Sequence, residues 1–322
     1  MVSRPPLFGE PVSSEDAEII LVPIPFDATT SYHRGTHQGP DAIVNASAQI
    51  DLCDHHFGNC IHRGIHLLEN DNSIEALNSE ATLLCDKIRK DRHPDALQRV
   101  NEIGSMVNAK LLESVSKYLE ENRLVGVVGG DHSSPFALIK AYTERIPKLG
   151  ILHIDAHADL RLAYEGFEWS HASIMRNVIE KTSLAKLVQV GIRDYCEEER
   201  DLIHSNDRIS TFFDQDLADK RFGGETFESQ CHRIIDELPE QVYISLDIDG
   251  LDPSLCPSTG TPVPGGLSFP QLSKLLHVLA KSGRTVVGFD LCEVAPGPTA
   301  WDANVGMRVL YKLCGCAAMT RT

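Results

Sequence analysis

The chain has no run approaching the roughly 20 consecutive apolar residues that a membrane helix requires. Residues 1–11, with three prolines, Arg4 and Glu10, carry no apolar stretch of the kind a secretion signal needs. Neither a membrane partner nor export is expected. Positive charge is also scarce: 30 Lys and Arg stand against 46 Asp and Glu, a formal net charge of -16. Nucleic acid and anionic surfaces, which need clustered cations, are therefore excluded as main partners. No CxxC pair occurs among the nine cysteines, whose odd number and scatter fit reduced thiols in a cytoplasm better than a disulfide framework. Linkers, repeats and low-complexity segments are missing too. One domain over 1–322, with a loose segment at 1–15, is the economical reading.

What is present alternates. Continuous apolar runs at 18–25, 124–128, 150–154, 187–190, 209–213, 242–246 and 285–291 read as buried strands. Helical patterns lie between them, at 40–50, 97–119, 134–145, 172–181, 197–204, 227–238, 269–281 and 303–313. Buried strands separated by helices predict an α/β domain of three layers, a parallel sheet covered on both faces. His55, His56, His62 and His66 match no zinc spacing and read as surface histidines.

The polar clusters follow directly on the apolar runs, which places them at the carboxyl ends of strands, where open parallel sheets bind ligands. Three carry the chemistry: Gly129-Gly130-Asp131-His132-Ser133, Asp155-Ala156-His157-Ala158-Asp159, and Ser245-Leu246-Asp247-Ile248-Asp249-Gly250-Leu251-Asp252-Pro253. In an extended segment, residues two apart face the same side. Asp155, His157 and Asp159 are thus expected to point into one space, and Asp247 and Asp249 likewise. Four ionised aspartates crowded together repel unless cations sit among them. Carboxylate with imidazole and no thiolate suits manganese, with cobalt, nickel or iron as alternatives to it. Two such ions, roughly 3.5 to 4 Å apart, can bring a shared water into the titration range of neutral pH.

GGDHS, DAHADL and SLDIDGLDP, in that order, resemble the three signature motifs of the ureohydrolase family, which comprises arginases, agmatinases, guanidino-acid hydrolases and formimidoylglutamases. The similarity runs from VPIPFDATTSYHRGTHQGPDAI to the EVAP segment at Glu293. It implies an arginase-type fold with a parallel sheet of about eight strands. It also implies that His132, Asp155, Asp159 and Asp247 hold one manganese, and Asp155, His157, Asp247 and Asp249 the other. Asp159 would in addition hold the attacking water and pass its proton to the departing amine. Glu293 would grip the substrate guanidinium, as a carboxylate does bidentately. His171, in Trp169-Ser170-His171-Ala172, would shuttle protons to solvent, a task that its ordinary pKa of about 6.5 suits. Asp131 and Asp252 read as turn or supporting residues. A trimer or hexamer is the implied assembly.

Substrate is the open point. The places where arginases hold the amino and carboxylate groups of arginine are occupied here by Arg161 and Cys196. DLR followed by YEG and SHA resembles the agmatinase-like branch. The expectation is a binuclear amidinohydrolase that releases urea and an amine, with agmatine to putrescine, a step of polyamine metabolism, as the lead. Guanidino-acid hydrolysis of the guanidinobutyrase type, formimidoylglutamase and guanidine hydrolase, the last with nickel, are the alternatives. A regulatory protein that merely retains the metals is the non-enzyme alternative. Arg161, Trp301 and Asp302 are the candidates for setting specificity.

Overall fold

The computed structural model describes residues 5–91 and 94–321. The chain runs β1 (Ile19–Ile24), α1 (Gly39–Ser47), β2 (Ile65–Leu67), α2 (Asn72–Asp91), α3 (Pro94–Glu120), β3 (Leu124–Gly129), α4 (Phe136–Arg145), β4 (Leu149–Ile154) and α5 (Ile174–Lys181). It continues through β5 (Lys186–Ile192), α6 (Glu197–Ser205), β6 (Ile209–Phe213), α7 (Asp214–Phe222), α8 (Phe227–Asp236), β7 (Gln241–Asp247), α9 (Phe269–Lys281), β8 (Thr285–Cys292) and α10 (Trp301–Thr320).

The eight strands form one parallel sheet in the order β2-β1-β3-β8-β7-β4-β5-β6. Alternate residues of each strand feed two separate cores. Ile19 and Leu21 of β1 join α1, α8, α9 and α10 on one face. Ile20 and Val22 join α3, α4 and α5 on the other. Double coverage is why the strands read as unbroken apolar runs, with every residue of β1, β3 and β4 buried. The late strands β7 and β8 lie between β3 and β4. The four strands that carry the polar clusters are therefore neighbours.

Two elements escape the sequence pattern. β2 is a three-residue edge strand with only Ile65 buried, too short to show alternation. In α7 only Leu217 is buried, so no apolar stripe announces a helix. Conversely, α10 runs beyond the expected 313, because Cys314, Gly315, Cys316, Ala317 and Ala318 continue it as a buried helix. The segment 1–15 is not loose throughout. Its first four residues lie outside the described ones, but Leu7 and Phe8 are buried, and Phe8 sets its ring edge-on to Tyr311 at 4.9 Å.

The loop at 27–38 is organised by Asp27, which is buried. Its Oδ2 accepts the N–H groups of Gly35 at 2.8 Å and His37 at 3.2 Å, and lies 2.7 Å from His37 Nδ1. Bonding to Asp27 raises the His37 pKa. Burial pushes Asp27 up, but His37 and Gly35 hold its carboxyl below the usual value. The signs give a window. The His37 contribution is complete below about pH 6.5 and fades as pH rises through its raised pKa. The Asp27 contribution is complete above about pH 3.8 and fades as pH falls through its lowered one. His37→Gln is therefore expected to lower stability more at pH 6 than at pH 9, by less than about 1 kcal/mol because His37 is solvent-screened. Urea midpoints at both pH values check this; an equal loss at each would dissolve the pairing.

Candidate metal centre

Each cluster is delivered by a strand end, but not by strand alternation alone. β4 stops at Ile154, and Asp159 takes a left-handed backbone, φ 54°. Asp247 is the last residue of β7, while Asp249 sits in a 3-10 turn (Ile248–Gly250) whose first N–H groups Asp247 caps, accepting from Asp249 N–H at 2.8 Å. The expected same-side alternation is thus replaced by turns at Asp159 and Asp249. The GGDHS corner packs against β1 so closely that a Cβ on Gly130 would lie 2.0 Å from the Phe26 carbonyl oxygen. Only glycine fits there.

The structure brings all six expected ligands together in two connected nodes. His132 Nδ1 lies 3.0 Å from Asp155 Oδ2, 3.3 Å from Asp159 Oδ2 and 3.4 Å from Asp247 Oδ2. His157 Nδ1 lies 3.1 Å from Asp249 Oδ2 and 3.5 Å from Asp155 Oδ1. Asp155 therefore reaches both nodes, one oxygen to each. Among the described residues, groupings of side chains close enough to hold an ion occur only around this cluster.

The donor chemistry fits cations. Ser245 Oγ donates to Asp290 Oδ1 at 3.1 Å, so its lone pair receives His132 Nε2–H at 2.9 Å. That leaves the His132 Nδ1 lone pair facing the carboxylates. Asp290 is not among the sequence clusters, and Ser245 opens the third of them without a role of its own; it stands two residues before Asp247 and faces the same side. Burial would lower the pKa of His132, but Asp155, Asp159, Asp247 and Asp290 hold it well above the usual value. Burial, and then Asp155, push Asp159 up to about 6, and burial with Asp249 and Asp155 raises Asp247 strongly. Burial also works to raise Asp155, yet His153, His132 and His157 hold it well below the ordinary range. Such a cluster demands positive charge. The nearby thiols of Cys292 and Cys256 are driven up by burial, so they stay protonated and leave a nitrogen and oxygen donor set.

Glu293 follows β8 in a left-handed conformation, φ 63°, and is 2% exposed. Its Oε1 accepts His132 N–H at 3.1 Å, while its Oε2 is buried with no partner. Burial, with the charges of Asp247, Asp131 and Asp249, raises its pKa well above the usual value. Asp159, His157, Arg161 and His171 line a cleft of about 250 Å³ that also meets Tyr32 and Thr261. His171 Nε2 lies 3.4 Å from Ser31 Oγ. Burial, then the charge of His157, push its ring down to about 3. By surface exposure the ring is only half-buried, on the wall of the cleft.

Arg161 is not free-standing. Its Nε lies 3.6 Å from Glu199 Oε2 and its guanidinium 5.2 Å above the Tyr164 ring. Glu199 is buried and also accepts the N–H groups of Leu160 at 3.0 Å and Cys196 at 2.9 Å. Trp301 and Asp302 do not reach the cleft. Trp301 Nε1 donates to Ser254 O at 2.9 Å and Asp302 Oδ1 accepts Ser258 N–H at 2.8 Å, so both tie the start of α10 to the 252–260 loop. Asp131 and Asp252 serve turns, accepting from Ser133 N–H at 3.1 Å and Ser254 N–H at 2.9 Å.

A three-layer parallel sheet with this buried cluster at its central strand ends defines an α/β metalloprotein class whose site suits two metal ions. Residues 17–315 match the model of the Arginase family. The chain is 33% identical to an N(1)-aminopropylagmatine ureohydrolase of Thermus thermophilus, over 96% of this chain and 94% of that protein. It is 30% identical to an agmatinase of Bacillus subtilis, over 88% and 85%. A crystal structure of a hypothetical agmatinase from Burkholderia thailandensis superposes with a TM-score of 0.74 at 22% identity, covering 98% and 91%, which shows the fold. The chain belongs to the arginase family, hydrolases of C–N bonds in linear amidines. No helix among the described residues is long and apolar enough to cross a membrane.

Proposed function

We propose that this enzyme hydrolyses a linear guanidino compound to urea and an amine, with agmatine as the substrate and manganese as the metal. The observation that carries the reading is the unpartnered, buried Oε2 of Glu293 beside the metal cluster. A buried carboxylate oxygen without a donor is costly, and a guanidinium supplies the donor and the charge together. His132, Asp155, Asp159 and Asp247 would hold one ion, and Asp155, His157, Asp247 and Asp249 the other. Two divalent ions bound there would supply a nucleophile by lowering the pKa of water toward neutrality.

The remaining work falls to side chains. Glu293 orients the guanidinium carbon toward the cluster by accepting its N–H groups. Asp159 belongs to the cluster and also lines the cleft, so it can take a proton from the attacking water and give it to the leaving amine. His171 stands on the cleft wall beside the Ser31 hydroxyl, placed to relay protons outward. At the mouth, Glu199 offsets Arg161, and the Asp194 side chain is 66% exposed and lies 3.8 Å from His157. That balance favours a cationic tail, as agmatine carries. Agmatine and N(1)-aminopropylagmatine, the compounds in the relatives' names, are both of this kind. A guanidino acid is the second reading, favoured by the Arg161 Nη groups, which have no hydrogen-bond partner among the described residues.

Urea release by the manganese-loaded protein from agmatine, N(1)-aminopropylagmatine, 4-guanidinobutyrate, arginine and guanidine, beside formamide release from formiminoglutamate, tests this. Agmatine is expected to exceed 4-guanidinobutyrate in kcat/KM by at least about tenfold, the effect of roughly 1.4 kcal/mol, and chelation is expected to abolish both. No turnover of agmatine would sink the lead; a preference for 4-guanidinobutyrate would transfer the assignment to Arg161.

A further inference from the structure

Behind the cluster runs a buried polar chain to which no role has yet been given. His153 lies in β4, two residues before Asp155, and is fully buried. Its Nε2 is 2.8 Å from Asp155 Oδ2. Its Nδ1 is 3.0 Å from Nε2 of Gln189, its register partner in β5. The orientation of the Gln189 amide is settled by its other contacts. The amide nitrogen lies 2.8 Å from the Ala158 carbonyl oxygen, which can only accept, and the amide oxygen accepts the Thr211 hydroxyl at 2.9 Å. The nitrogen that meets His153 Nδ1 is therefore a donor, and Nδ1 must offer a lone pair. The ring proton sits on Nε2, aimed at Asp155.

The other end of that carboxylate is fixed as well, since Asp155 Oδ1 accepts His157 N–H at 2.6 Å. Asp155 reaches both nodes, one oxygen to each, so its rotation helps set the relation between them. We infer that His153 is a positioning residue: in the tautomer dictated by Gln189, it locks the Asp155 carboxylate in the orientation that serves both halves of the metal centre. Core filling alone does not account for it. An apolar residue would fill a strand interior without needing partners, whereas a buried imidazole must have both nitrogens satisfied. Here both are, and one bond ends on the carboxylate the two nodes share. Ala158, whose carbonyl anchors Gln189, belongs to the same segment as His157 and Asp159, so the chain also ties that segment to β5.

The inference rests on the metal-centre reading and is tested without substrate, by calorimetric titration of metal-free protein with Mn2+. Partners that orient metal ligands typically contribute about 10- to 100-fold in affinity. His153→Phe is expected to weaken binding by about that factor while the metal-free protein keeps its thermal melt. His153→Gln, whose amide N–H reaches the position of Nε2–H, is expected to recover most of the loss. Wild-type affinity in the Phe variant, or a Gln variant as weak as Phe, would overturn the assignment and leave His153 as packing. Should the Phe variant not fold, Gln189→Met touches no metal ligand and is expected to weaken binding in the same direction; unchanged affinity there overturns the inference equally. A wild-type protein that takes up no Mn2+ would bring down the metal-centre reading itself, whichever guanidino compound is the substrate.

Discussion

Asp159→Asn is expected to lower kcat by about 10³-fold or more with little change in the melting temperature of the metal-free protein. General acid–base catalysis alone is worth about 10²- to 10⁴-fold, and the amide loses both the charge that serves the His132 node and the capacity to carry a proton. Folding should be spared for two reasons. Asn tolerates the left-handed backbone that Asp159 adopts, φ 54°. The substitution also removes one negative charge from a cluster in which burial and Asp155 already push Asp159 up to about 6. The measurement is steady-state urea release at verified metal content, beside a thermal melt. Turnover within tenfold of wild type would remove Asp159 from the proton path.

Glu293→Gln is expected to reduce kcat/KM by about 10²- to 10³-fold, the effect of breaking a buried ion pair of roughly 3–4 kcal/mol, while Mn2+ affinity stays as in wild type. Gln keeps an acceptor for His132 N–H, so the GGDHS corner stays in place. What it loses is the carboxylate oxygen proposed to meet the guanidinium. Because that headgroup is common to every guanidino compound, the loss should be similar for agmatine, 4-guanidinobutyrate and guanidine. Substitutions of Arg161 or Asp194, by contrast, should separate them by tail charge. A loss confined to one substrate would place Glu293 at the tail rather than the headgroup.

The strands were legible because a parallel sheet covered on both faces demands uninterrupted apolar runs, and the position of the site was legible because each run ended in polar residues. β2 and α7 were not, since an edge strand of three residues and a helix with one buried leucine have too little burial to leave a pattern. Same-side alternation singled out aspartates that the structure does gather into one cluster, though not by alternation alone. It assumes extended backbone, whereas Asp159 and Asp249 arrive by turns. The same rule carried one step back along β4 would have found His153, an imidazole in an apolar run on the face of Asp155. Trp301 and Asp302, which could equally line the mouth or cap the last helix, tie the start of α10 to a loop.

The strand order also has a temporal meaning. His132 and Asp155 follow β3 and β4, which lie on either side of a gap filled by β8 and β7, and those begin only at residues 285 and 241. As the chain leaves the ribosome, the first three motif residues of the second cluster emerge long before Asp247, Asp249 and Glu293 exist. Contacts this distant in sequence close late, after the loop entropy between them has been met. The nascent chain can therefore present only partial ligand sets, and the full demand for two ions arises once synthesis is nearly complete. Any ion that needs both halves of the cluster could therefore be taken up only by the nearly finished polypeptide.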